Sequence, residues 1–102
     1  MYICIGENGE LSLQDCDNMR AFSIVMDSAD VPLTRLQEIA ELAEGDHYWL
    51  RVEAVEELSP RQGDQQWIRD FRAMLASVAD YGYYDLETNR VKAHVEHAHE
   101  KD

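Results

Sequence analysis

The sequence predicts an α+β fold: a single sheet that opens with an N-terminal β-hairpin, carries a β-α-β segment and a second helix, and ends in a C-terminal strand or hairpin. Both helices should pack on that one sheet. Three observations carry this expectation. Strand-like alternation flanks Asn8-Gly9 and recurs over 47–55 and 91–96. Apolar residues at helical spacing fill two stretches, one after Pro32 and one after Asp64. The 102 residues, 45 % hydrophobic, suffice for one core and no second domain. Residues 1–96 read as that domain and 97–102 as a flexible tail rich in histidine and acid.

The elements follow in order. Tyr2 to Gly6 and Leu11 to Gln14 are β-branched, aromatic or alternating, and Asn8-Gly9 between them is a strong hairpin signal. A two-residue turn there sets Cys4 opposite Leu13 and Glu7 opposite Glu10. Ala21 to Met26 is apolar on both faces, as a central strand would be. Asp27 to Asp30 breaks it. Pro32 suits a first helical turn, and Thr34 and Gln37 have capping-box spacing. Leu33, Leu36, Ile39, Ala40 and Ala43 form one face of the helix, Glu38, Glu41 and Glu44 another, and Gly45 the stop. His47 to Val55 alternates as a strand, with Tyr48, Leu50, Val52 and Ala54 inward and Trp49, Arg51, Glu53 and Val55 outward. A right-handed crossover would make it parallel to the 21–26 strand.

Ser59-Pro60-Arg61-Gln62-Gly63 is the loop, and Asp64 caps the second helix. Trp67, Ile68, Phe71, Met74, Leu75 and Val78 give that helix a wide apolar stripe, and Gly82 ends it. Residues 83–86 and 91–96 are expected to pair around 87–90, the latter as a half-exposed closing strand.

Charge narrows function. Acids outnumber bases 21 to nine, a formal charge of −12. Duplex binding draws most of its affinity from Lys and Arg on phosphates, so nucleic acid is disfavoured, as is an anionic membrane. Protein partners, basic ones in particular, are favoured. The acids concentrate early: residues 1–58 hold 13 acids and three bases, residues 59–102 eight acids and six bases. That asymmetry suggests a homodimer in which the acidic half meets Arg61, Arg69 and Arg72 of a second copy. Two cysteines without a framework, and an N-terminal stretch with no basic or long apolar run, read as cytoplasmic.

Chemistry-bearing motifs are sparse. The sequence contains no nucleophile elbow, Walker loop, dinucleotide fingerprint or His-Glu-x-x-His, and no cofactor is implied. His47, after Asp46 and before Tyr48 at a strand mouth, is the candidate acid–base residue. His94, His97 and His99 are the candidate metal ligands, since imidazoles bind zinc, copper or nickel when they converge. Asp85-x-Glu87-x-Asn89 imitates a calcium loop but has Arg90 where the sharp turn needs glycine. Trp49, Tyr83 and Tyr84 offer aromatic contact surface, and Glu38 and Glu41 acidic contact surface. The leading expectation is a non-catalytic protein-interaction or accessory module acting through the acidic N-terminal half and the Trp/Tyr surface. Alternatives are a small-molecule-binding protein or small enzyme using His47, and a nucleic-acid mimic that blocks a basic DNA-binding protein.

Overall fold

The computed structural model describes residues 1–28 and 30–97, with His97 described through its backbone alone. Seven strands form one sheet: β1 (Tyr2–Ile5), β2 (Leu11–Gln14), β3 (Ser23–Met26), β4 (Ala40–Leu42), β5 (His47–Arg51), β6 (Tyr84–Asp85) and β7 (Arg90–His97). The helices are α1 (Thr34–Ile39), α2 (Val52–Leu58) and α3 (Gln65–Val78), the last extended by a 3-10 turn over Ala79–Tyr81. Strand order is β2-β1-β3-β7-β5-β4, and β6 pairs with β7. No helix among the described residues is long and apolar enough to cross a membrane.

The hairpin forms one residue out of the expected register. Ile3 pairs with Leu13, Cys4 with Ser12 and Ile5 with Leu11. Gly9 N–H donates to the Gly6 carbonyl at 2.8 Å and Gly6 N–H to the Glu10 carbonyl at 3.0 Å, so the loop has three residues and closes on a left-handed Gly9 at φ 82°. The burial pattern explains the shift. A one-residue slip moves every side chain to the other face, and this register sets Ile3 and Ile5 beside Leu13 and Leu11 on the core side. Glu7 falls in the loop and Glu10 lies opposite Gly6, so their predicted pairing does not occur. Cys4 and Cys16 are free thiols.

The middle of the chain departs further from the sequence reading. The first helix stops at Ile39, and Ala40 turns to extended backbone (φ −143°, ψ 155°). Residues 40–42 then pair antiparallel with β5, Ala40 against Leu50. Two terms oppose a longer helix: glutamates at 38, 41 and 44 would stack at repulsive spacing, and no base sits in the last turn to meet the helix dipole. Gly45 (φ 59°) consequently serves the β4–β5 hairpin, where Ala43 N–H donates to His47 O at 2.8 Å. Leu33, not a capping side chain, precedes α1.

The 47–55 segment likewise divides. Strand pairing ends at Arg51, and Val52, Ala54 and Val55 become the buried side of α2. The order strand–helix–strand holds, but β3 and β5 are not parallel neighbours. β7 lies between them, parallel to β3 and antiparallel to β5. The expected closing strand is therefore a central one, since Val91 and Ala93 are small, apolar and 2 % and 1 % exposed.

Asp64 caps α3 as predicted, accepting from the backbone N–H groups of Gln66 and Trp67 at 3.0 and 3.3 Å. The Arg61 guanidinium bonds to its carboxylate at 2.6 Å and to Asp17 at 2.8 Å, tying the 59–64 loop to the segment before β3. The Trp67 indole N–H donates to Cys16 O at 2.7 Å in the same region. Gly82, left-handed at φ 85°, ends the 3-10 turn.

One apolar cluster joins everything. Its strand members are Ile3, Ile5, Leu13, Ile24, Met26, Leu50, Val91 and Ala93, and its helical members include Leu36, Val52, Val55, Trp67, Phe71 and Leu75. Trp67 and Phe71 stack with centroids 5.2 Å apart. At ~25 cal/mol per Å² of apolar surface removed from water, each buried Val, Leu, Ile, Met or Phe of this cluster contributes roughly 1.5–3 kcal/mol.

Candidate functional site

Because side chains alternate along a strand, the residues between those of the core belong to the other face of the sheet. Tyr2, Cys4, Val25 and Trp49 stand there, outside the core cluster and its packed fringe, each half-buried. The side chains that the helices bury, Leu36, Val52, Val55, Trp67, Phe71 and Leu75 among them, belong to the core on the other face. Its middle is a cross-strand row. Lys92 N–H donates to Tyr83 O at 2.8 Å, Lys92 pairs with Trp49, and Trp49 pairs with Glu41. The Lys92 ammonium sits 5.4 Å from the Trp49 ring centroid and 5.5 Å from that of Tyr83. Its side chain is only 18 % exposed, and the two rings hold the cation over their π faces. The next row places His47 opposite His94, rings 6.2 Å apart, with Ser23 on the far side of His94.

The cations of this face are tied to the chain itself. Arg90 Nη1 lies 2.6 Å from Glu41 Oε1, Lys92 Nζ 3.9 Å from Glu44 Oε2, and Arg51 donates to the Glu38 carbonyl at 3.5 Å. Residues Glu38, Glu41, Trp49, Arg51 and Arg90 line a shallow groove of about 370 Å³ beside β4. Three predicted contact residues, Glu38, Glu41 and Trp49, thus meet in one place, and Tyr83 reaches Trp49 through Lys92. Tyr84 does not join them. It leans on the core from the other face, its hydroxyl donating to Asn89 Oδ1 at 2.7 Å.

A comparison with known protein families finds no match. Nor does a search of curated proteins or of solved structures.

The predicted acid–base trio is dispersed. His47 is on the open face, with Nδ1 3.3 Å from the Glu44 carbonyl, whereas Tyr48 packs against the core and Asp46 is exposed, its carbonyl accepting from Val95 N–H at 2.8 Å. His47 does not line this groove. Of the predicted metal ligands, His94 has Nε2 2.6 Å from Glu96 Oε2. The His97 side chain and all of His99, like the rest of the 98–102 tail, lie outside the described residues, and among the described residues no group of three potential ligands converges. Arg61 and Arg72, expected to receive the acidic half of a second copy, are engaged within the chain, Arg72 by Glu56 at 2.9 Å. Cys4 is a poor nucleophile. Burial pushes its thiol pKa up, and the Asp27 carboxylate 4.0 Å away adds to the effect.

Sequence reading missed a second concavity. The edge of β7 pairs with β6 at Arg90 and Val91 and with β3 from His94 onward, so the sheet forks between them. A cleft of about 540 Å³ occupies the fork. Val91 lines it from the core face of β7, and Lys92, His94 and Glu96 from the open face. The signal was non-local, because nothing near residues 90–96 states that one strand edge has two successive partners.

Proposed function

We propose that the protein is a non-catalytic interaction module that binds a basic protein partner through the open face of its sheet. The observation that carries this reading is the uncovered Tyr83–Lys92–Trp49–Glu41 row. A tryptophan and a tyrosine flanking a nearly buried lysine form a preorganised aromatic platform, the kind of residue set that supplies binding hot spots. Arg90 and Lys92 lie against Glu41 and Glu44, and the charge left to steer a partner is the net charge of the −12 chain. Glu38, whose carboxylate has no ion-pair partner among the described residues, stands beside Trp49 in the groove, while Glu41 and Glu44 hold Arg90 and Lys92.

A ten-residue peptide rich in Arg and Lys with a central Leu tests this by titration of the intact protein, followed through backbone amide shifts. Binding should weaken with salt and perturb Trp49, Glu41 and Lys92. Trp49→Ala should cut affinity at least ~tenfold, while Glu53→Gln with Glu57→Gln, on the exposed side of α2, should leave it nearly unchanged. Perturbation spread over α2, or equal losses in the two variants, would reduce the interaction to unspecific attraction between opposite charges and overturn the reading.

A further inference from the structure

We propose that the cleft at the fork between β3 and β6 is a binding site for a small apolar monocarboxylate with an aromatic or branched body. The cleft shares Tyr83 and Lys92 with the docking face but takes a different occupant, and it does not depend on that reading. Its volume, about 540 Å³, falls within the roughly 300–1,000 Å³ typical of small-molecule sites. The wall is apolar and adaptable: Phe22, Met74, Val78 and Tyr83 supply aromatic rings and a flexible thioether. The polar complement inverts the balance of the chain. Arg20 and Lys92 line the cleft, where the single lining carboxylate, Glu96, is bonded to His94 at 2.6 Å, and Glu44, outside the lining, lies 3.9 Å from the Lys92 ammonium. In a molecule with 21 acids and nine bases, a concavity whose cations outnumber its acids is matched to an anion. Arg20 has no carboxylate partner among the described residues, so its guanidinium retains its donors for a ligand. Lys92 is held in place by its two rings, which lowers the entropy lost when it engages an anion.

The floor decides between kinds of anion. Met74, Ser77 and Val78 belong to the last two turns of α3, toward the negative end of the helix dipole. That field disfavours a multiply charged phosphate and tolerates a single charge held on the Arg20 and Lys92 side, with the apolar body toward the helix.

The test titrates the intact protein with phenylacetate, phenylacetamide and phenethylammonium, three probes of one shape and different charge, and follows amide shifts. Phenylacetate should perturb Phe22, Tyr83 and Lys92 saturably, with the amide at least ~tenfold weaker and the ammonium weaker still. Arg20→Gln, at an exposed loop position, should remove the preference for the carboxylate while leaving the amide bound as before. Equal binding of all three probes, shifts centred outside the fork, or no saturable shift at millimolar phenylacetate would each overturn the assignment. Loss of amide and carboxylate binding together in Arg20→Gln would do the same, because it would mean the arginine shapes the cleft and does not read charge.

Discussion

On β7, Val91 and Ala93 are buried in the apolar cluster, while Lys92 and His94, one residue away on the same strand, face outward among Trp49, Tyr83 and His47. The two tryptophans divide in the same way. Trp67 is 2 % exposed, stacked on Phe71 and bonded to the Cys16 carbonyl, and Trp49 lies half-buried on the other face, outside the core cluster. The closed face is selected for volume and transfer free energy, and its members are interchangeable in kind: isoleucine, leucine, valine, phenylalanine. The open face carries specific chemistry in a fixed cross-strand order. Under the proposed reading, stability and recognition fall to alternate residues of the same strands, and the contrast can be broken experimentally.

The largest expected effect is on the closed face. Phe71→Ala should cost about 3–5 kcal/mol in urea unfolding, whereas Trp49→Ala should cost about 1 kcal/mol or less and lose peptide binding instead. Comparable destabilisation by both would mean that the two faces are equally covered. At the sheet's end, Gly9→Ala should cost roughly 1–2 kcal/mol, since φ is 82° and a Cβ would meet the Pro32 carbonyl at 3.0 Å. Thermal melts that leave this variant unchanged would contradict the three-residue loop that sets the register of both faces.

A smaller, pH-dependent effect belongs to the α3 cap. The Arg61 hydrogen bond, helped by the N–H groups of Trp67 and Gln66, holds the Asp64 carboxyl below its ordinary value of 3.8. A lowered native pKa adds stability that is present above about pH 3.8 and lost as the pH falls through the native value. Melting temperatures of the wild type should therefore drop more steeply below that pH than those of Asp64→Asn, which starts lower and is flatter. Parallel curves would remove the cap from the closed face's support. The smallest effect concerns Cys4 on the open face. With its thiol pKa raised by burial and by Asp27, it should react with iodoacetamide at neutral pH more slowly than a small free thiol, and Asp27→Asn should speed it modestly. A fast Cys4 would show that this part of the face is more open than its half-buried state implies.

Much of the closed face was legible in the sequence. Asp64, the Trp67-Phe71-Leu75 stripe, Gly82, the first hairpin and the pairing of 83–86 with 91–96 are local signals, and they hold. The errors came where a local pattern served two structures. Residues 40–43 continue a helical face, yet Ala40 to Leu42 gain more by pairing with β5. Val52, Val55 and Leu58 lie at helical spacing, and the alternation that begins at His47 obscured the change of period at Arg51. The hairpin was placed correctly and its register was not, because Asn8-Gly9 fits both a two-residue turn and the last two residues of a three-residue loop. Of the site, Trp49, Tyr83, Glu38 and Glu41 were identifiable as residues out of place in water or as concentrated charge. Lys92 between two rings and the forked edge of β7 depend on strand order, which no local window contains.

The most direct test of the division between the faces uses two single-tryptophan proteins, Trp67→Phe and Trp49→Phe, with acrylamide quenching of each before and after saturation with the basic peptide. Trp49 should be quenched in the free protein and protected in the complex, while Trp67 should be protected in both and unchanged by binding. A Trp49 already protected in the free protein, or one that stays equally quenchable in the complex, would contradict the open face as the docking surface.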